Sequence, residues 1–266
     1  MEFSAVLNSF GAMHSQFGGM LNALLLIFFR TLGFVFTAPI FNRRDIPFLI
    51  KLIFALFLTS AVFGMVPDAT MQGPGVSNSL RFLILIGVNL VIGLIIGFIA
   101  DIILKTIAAA GSMMNNQIGL SSAVIFDPSS RTQVMILDPL FAFLGVLIFI
   151  HLGGVFWLVR ALKKSFVEFP LFAINQPLTS VIDLSYLVHL SSNVLLEATK
   201  LVAPVMIITM SVDIILGMVN RTAQQMPVFQ LSFALKPSIG AAILLATLPI
   251  MVNAIAAFLE TYSLIF

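Results

Sequence analysis

Any chemistry in this sequence would come from a few charged side chains set in long apolar runs. Glu197 and Lys200 are three residues apart, so on a helix they share a face and can pair. A charge at the centre of a bilayer costs ~2.5–3.5 kcal/mol on insertion scales, so such groups face protein or water and find partners. Two roles fit the pair: a proton or ion relay, or an ion pair that packs one subunit against another. With one such pair and no second acidic cluster, the packing role is favoured. Arg30 lies in the run Met20–Ile40. It either lines a polar cavity or binds carbonyl oxygens at a helix break, and the second is the reading adopted. Asp127 and Asp213 would form a carboxylate pair if the fold brought them face to face, although nothing in the sequence requires it.

Catalytic patterns are otherwise missing from the sequence. His14, His151 and His189 do not have metal-ligand spacing. There is no nucleophile elbow, His-Glu-x-x-His motif or phosphate loop, and no Gly-x-Gly-Asp stretch. No catalytic, cofactor-binding or metal-binding residue is therefore assigned, and the chain is expected not to be an enzyme. With zero cysteines, disulfides and thiolate metal sites are excluded. The net charge is only +2 and no long basic run suggests nucleic-acid binding.

The elements that must carry these charges are apolar throughout. The 266 residues are 60% hydrophobic and 9% charged, against about a quarter charged in an average soluble domain. The mean hydropathy is +1.12. A soluble fold could not hide that much apolar surface, so the class is an all-α polytopic membrane protein. The N-terminus lacks a basic n-region and makes a poor cleavable signal peptide. Seven runs follow at a scale of roughly 20 residues per crossing: Met20–Ile40, Phe48–Val66, Leu80–Ala100, Ile102–Phe126, Val134–Val159, Leu184–Val219 and Val228–Phe266. Gly93 and Gly97 form a small-xxx-small pair suited to close helix contact. Asp138 precedes Pro139 and is expected to cap the helix that follows.

Positive-inside logic puts the basic links FNRRDIP and RALKKSFVEFP on the cytoplasmic side, which requires an even number of crossings between them. Four separate runs meet that condition. The run Leu184–Val219 is too long for one crossing and contains Pro204, predicting a kinked helix or a broken hairpin. The 13 methionines include Met113, Met114, Met206, Met210 and Met218. They read as packing filler, with a deformable seal as the functional alternative.

The stretch Gln117–Gln133, QIGLSSAVIFDPSSRTQ, begins as an apolar segment and breaks into a turn at Asp127–Ser130. It overlaps AAAGSMMNNQIGLSSAVIFDPSS, with Gly111, Gly119, Asp127 and Pro128, which is one of three stretches that resemble a single family. The others are RTLGFVFTAPIFNRRDIP, with Arg30 and Gly33, and APVMIITMSVDIILGMVNRTAQQMPVFQLSFALKP, with Pro204, Asn220 and Arg221. In this order and spacing they resemble the FliR family, flagellar biosynthesis proteins of the type III secretion export gate, and its injectisome counterparts. The chain departs from the family pattern at Gln224, at Ser232 to Leu235 and at Arg131.

The resemblance implies a single domain over 1–266, folded as broken helical hairpins within a helical export-gate assembly. It implies FliP-like and FliQ-like partner subunits, FlhB-like and FlhA-like export components, and unfolded flagellar subunits as cargo. The implied location is the bacterial inner membrane, in the flagellar basal body. It also implies a pore-plugging loop at about Asn115 to Arg131. In that loop Gly119 allows a bend, Ile118, Leu120, Val124, Ile125 and Phe126 fill a narrow lumen, Ser121 and Ser122 avoid holding a passing chain, and Asp127 begins the turn. Arg30, Glu197, Lys200 and Arg221 are assigned as buried charges serving assembly. The alternative reading is a secondary transporter for a small solute, with Glu197, Lys200 and the helix break at Pro204 as its site.

Overall fold

The computed structural model describes residues 2–41, 46–64, 79–119, 136–172, 184–222 and 228–263. Among the described residues every regular element is an α-helix. In chain order they are α1 (Glu2–Thr37), α2 (Phe48–Phe63), α3 (Ser79–Ile118), α4 (Leu137–His151), α5 (Gly154–Glu168), α6 (Leu184–Thr222) and α7 (Val228–Ser263). Four segments are long and apolar enough to cross a membrane: Gly18–Thr37, Leu80–Ile118, Ser191–Thr222 and Leu235–Tyr262. The bent pair α4 and α5 makes a fifth if counted as one span. The chain is an all-α polytopic membrane protein.

Several boundaries differ from those read in the sequence. The runs Leu80–Ala100 and Ile102–Phe126 are not two elements, because α3 continues through Asp101 for 40 residues. Asp101 is 7% exposed. One charge without a proline or glycine beside it does not end a helix, because its backbone N–H still bonds within the turn. The merger removes one of the four separate runs on which the even-crossing count relied. The run Val134–Val159 divides instead. Its two helices are bent by 71° at Leu152–Gly153. Gly153 adopts φ 80°, which glycine reaches without steric cost. Gly154 packs against the ring of Phe149, where a Cβ would collide.

The hairpin alternative for Leu184–Val219 does not form. α6 is one helix of 39 residues with Pro204 inside it, and α7 likewise retains Pro237 and Pro249. Each proline removes one intrahelical bond, and apolar helices tolerate this when neighbours or local adjustment satisfy the freed carbonyl. Asp138 does not cap α4. The N-cap is Ile136, with no side-chain cap bond, and Asp138 lies in the first turn. Its negative charge there favours the positive end of the helix dipole.

The chain falls into two compact units. The first contains α1, α2, the part of α3 up to Asp101, and α5. Here α1 crosses α3 at backbone contact. Gly33 faces Leu90 and Leu94, Gly93 faces the carbonyl of Arg30, and a Cβ on Gly97 would stand 2.7 Å from the carbonyl of Phe34. This is the close approach that the Gly93 and Gly97 spacing predicts. The Thr37 hydroxyl donates across the crossing to Leu94 O at 2.9 Å. The hydroxyls of Thr31 and Thr59 meet at 2.7 Å and tie α1 to α2, and beyond the end of α1 the tilted rings of Phe41 and Phe54 lie 4.2 Å apart.

The second unit contains α3 from Ile102, α4, α6 from Val188, and α7. Gly111 of α3 lies under the start of α4, where a Cβ would be 2.6 Å from Leu137 O. Gly145 of α4 receives the side chain of Ile107.

The two kinds of glycine in α3 give a test. A methyl on Gly93 would strike the Arg30 carbonyl, whereas Gly87 has nothing within 4 Å of its Cβ position. Gly93→Ala is expected to destabilise the purified chain by about 1–3 kcal/mol, the usual cost of forced overpacking. Gly87→Ala should leave thermal unfolding in detergent unchanged or slightly raised, since alanine favours a helix. Equal melting of the two variants would refute the crossing.

Candidate functional site

Arg30 is fully buried at 0% exposure, and its surroundings come from three helices of the first unit. Nε donates to Asn89 Oδ1 at 2.9 Å, and Nη2 donates to the same oxygen at 2.6 Å. Nη1 donates to the Ser165 carbonyl at 2.8 Å and lies 3.5 Å from its hydroxyl. Nη2 also reaches the carbonyl of Phe169 at 2.9 Å. The guanidinium carbon stands 4.4 Å from the centroid of the Phe166 ring. Five N–H groups thus have five acceptor contacts, all with neutral atoms.

Two of these acceptors are carbonyls at the C-terminal end of α5, where a helix carries partial negative charge, and the Ser165 oxygen also accepts the Phe169 N–H at 3.0 Å. Arginine suits the place because its planar fork spreads one charge over several fixed donors. Asn89 is itself held, its amide donating to Leu85 O at 2.8 Å and Leu171 O at 3.2 Å. The sequence marked Arg30 but not its partners. Asn89 had a usable signal, a lone amide inside an apolar run that must find a hydrogen bond. Ser165 and Phe169 contribute backbone carbonyls, which no residue type announces.

The other assigned charges are not buried in this chain. Lys200 and Arg221 are exposed, and Glu197 is half-buried. Lys200 does pair with Glu197, Nζ to Oε1 at 2.7 Å, with the lysine exposed and the carboxylate half-buried. Within the chain itself, Arg30 alone of the four is fully buried. Glu197 borders a small cleft with Asn193, Thr106 and Tyr262, of volume about 10 Å³. Asp213 does not wait for a carboxylate partner. It binds Lys236 of α7, Oδ1 to Nζ at 2.7 Å. Asp127 lies outside the described residues, and among the described residues no cluster of His, Asp or Glu could hold a metal ion.

Of the apolar stretch assigned as a stopper, Ile118 and Gly119 are described. Ile118 is 1% exposed and its side chain fills the space over Gly240 of α7. It is engaged within its own chain. Gly119 follows with φ 82°, and its N–H bonds Asn116 O at 3.1 Å, a left-handed glycine ending the helix. Leu120, Ser121, Ser122, Val124, Ile125, Phe126 and Asp127 lie outside the described residues. Met114 is fully buried, as filler would be, while Met210 and Met218 are exposed at 53% and 58%.

The Arg30 site predicts a graded response. Asn89→Leu leaves Nε without its acceptor, and losing a hydrogen bond to a charged group costs about 1.5–3 kcal/mol. Arg30→Lys should also destabilise, because an ammonium cannot reach the same acceptors as a fork. The double variant Arg30→Met/Asn89→Leu is expected to lose less than the sum of the losses in the single variants Arg30→Met and Asn89→Leu, since the buried charge goes with its partner. Thermal unfolding of the four proteins in detergent measures this. Strict additivity would show that the two side chains are not coupled.

Comparison with known proteins places this arrangement in context. The chain is similar to the Flagellar biosynthetic protein FliR of Escherichia coli (strain K12), 28% identical over 236 residues, covering 89% of this chain and 88% of the relative. It is 28% identical over 236 residues to the protein of the same name from Aquifex aeolicus (strain VF5), covering 86% of each. It is 27% identical over 211 residues to the Surface presentation of antigens protein SpaR of Shigella sonnei, covering 79% of this chain and 78% of the relative. The family model for bacterial export proteins, family 1, matches residues 21–262. That match takes in the Arg30 site, most of both compact units and every helix except the first half of α1 and the last residue of α7, and so the chain belongs to the bacterial export proteins, family 1.

Proposed function

We propose that this chain is the FliR-like subunit of a flagellar type III protein export gate in the bacterial inner membrane. It joins FliP-like and FliQ-like subunits, works with FlhA-like and FlhB-like components, and contributes a gating loop to the path of unfolded flagellar subunits. The observation that carries this reading is similarity over most of the chain to relatives named for flagellar biosynthesis. The polytopic helical architecture supports it.

The exposed faces are also suited to assembly. On α6, Ile207, Met210, Ile214 and Met218 recur at helical spacing and are 53% to 66% exposed. The Glu197–Lys200 and Asp213–Lys236 pairs neutralise charge beside such surfaces, so helices can meet without burying a single unpaired ion. In this reading Ile118 anchors the base of the loop and Gly119 turns the chain into it. Leu120, Val124, Ile125 and Phe126 then act as the stopper, with Ser121 and Ser122 between them and Asp127 closing it. Burying one large apolar side chain is worth roughly 1.5–3 kcal/mol. A few such contacts hold a loop shut and still let a driven polypeptide displace it.

The cleft that Glu197 borders does not fit a solute in the transporter reading. The cleft beside Glu197 measures about 10 Å³, roughly the space for a single water molecule.

Co-expression with FliP-like and FliQ-like subunits should yield a complex, whereas the chain expressed alone should be poorly stable. A stable, solute-binding monomer would overturn the proposal. Within the complex, deleting Leu120 to Phe126 should raise ion conductance in planar bilayers while subunit composition stays the same. Unchanged conductance with an intact complex would remove the gating role and leave the export role standing. Glu197→Gln should weaken assembly more than it alters any proton dependence.

A further inference from the structure

Helix α5 has two faces of different character. Leu158, Leu162, Ser165 and Phe166 are buried at 0% to 5% exposure, and this face carries the carbonyl that binds Arg30. The opposite face presents Phe156, Arg160, Lys163, Lys164 and Val167, all exposed. Their separations of four, three, one and three residues keep them on one side of a helix with 3.6 residues per turn. Phe156 is 75% exposed and Val167 60%. Glu168 offsets part of the charge, with Lys164 Nζ 3.6 Å from its carboxylate. Arg160, Lys163 and Lys164 against Glu168 leave a net charge of +2 on the helix.

We infer that this face binds the headgroups of anionic phospholipids in the surrounding bilayer. Three features select that occupant. First, the face mixes cations with a large exposed aromatic and an aliphatic side chain. That combination suits the headgroup boundary, where basic groups meet phosphate and apolar groups enter the acyl region. A purely acidic protein surface would leave Phe156 and Val167 unmatched. Second, α5 is 15 residues long, about 22 Å at 1.5 Å per residue. That is short of a hydrocarbon core of ~30 Å. Third, α5 is bent by 71° from α4 at the Leu152–Gly153 break. The strongly apolar α4, with Phe143, Leu147 and Ile150 exposed, ends there, and a basic amphipathic helix begins. Such a helix lies in an interface and does not cross it. Lysine and arginine stems extend along apolar surface and carry the charge to the phosphates.

The consequence is a lipid clamp over the Arg30 site. The face that meets phosphate and the face that supplies carbonyls to Arg30 belong to the same four turns of helix. Anionic headgroups therefore hold the outer side of α5 while Arg30 and Asn89 hold its end.

The test uses the full chain in complex with its partner subunits, exchanged into nanodiscs of phosphatidylcholine and phosphatidylglycerol in equal proportion. Lipid retained after release into detergent is counted by native mass spectrometry. The wild-type complex should retain phosphatidylglycerol in excess. The excess should fall about fivefold for each unbalanced cation removed, and vanish in Arg160→Gln/Lys163→Gln/Lys164→Gln. Arg160→Lys, which keeps the charge, should keep the excess. High salt should reduce it in the wild type, a measurement that stands even if the triple variant fails to assemble. The proposal is overturned if the triple variant retains the wild-type excess, if salt leaves the wild-type excess unchanged, or if the variant sheds an acidic export component while its lipid content is unaltered.

Discussion

A guanidinium with no solvent contact has to be surrounded by acceptors before the first unit can close around it. Arg30 draws its acceptors from residues 59, 135 and 139 positions away in the chain. Until α3 and α5 arrive together, a charge remains unmatched among apolar side chains, at a cost of several kcal/mol. The glycine crossing makes the meeting possible. Asn89, Gly93 and Gly97 are four apart and share one face of α3. Arg30, Gly33, Phe34 and Thr37 line the facing side of α1. Backbone contact at Gly93, against the carbonyl of Arg30 itself, brings Asn89 one turn away to the guanidinium. Any larger residue at Gly93 would hold the helices apart and leave the charge short of its partner.

The second unit is stabilised differently. Its glycines admit side chains of neighbouring helices as well as backbone: Gly145 receives Ile107 and Gly240 receives Ile118. Four of its charges form short pairs, Glu197 with Lys200 and Asp213 with Lys236. Pairs with this much exposure contribute little to the stability of the chain by themselves. Their value lies in keeping charge neutral along helices whose apolar faces point outward, the condition under which further helices can pack on them.

This division suits a subunit of an export gate. A part that must keep its shape benefits from a buried charge whose every donor is satisfied, because no partial opening is cheap. At the end of α3, Ile118 packs over Gly240 and Gly119 turns the backbone into the left-handed region. Basic side chains on α5 add an outward attachment to the membrane surface, on the element whose carbonyls bind Arg30.

Class, hydrophobic extent and family resemblance were legible in the sequence because composition and residue order carry them directly. So was a close helix contact at Gly93 and Gly97, since small residues four apart share one helix face, although α1 as the partner was not. Helix ends were less legible. Asp101 and Pro204 looked like breaks and lie inside continuous helices, whereas Leu152–Gly153 looked like part of a span and forms a 71° bend. A charge or a proline removes at most one or two local interactions, which surrounding contacts can replace. A left-handed backbone position changes the direction of the chain outright. Only the tertiary structure decided which charges are buried. The sequence marked Arg30, Glu197, Lys200 and Arg221 alike, and only Arg30 met a helix end and an amide that together match its five donors. Burial of a charge depends on acceptors supplied by distant backbone, and those have no residue type to read.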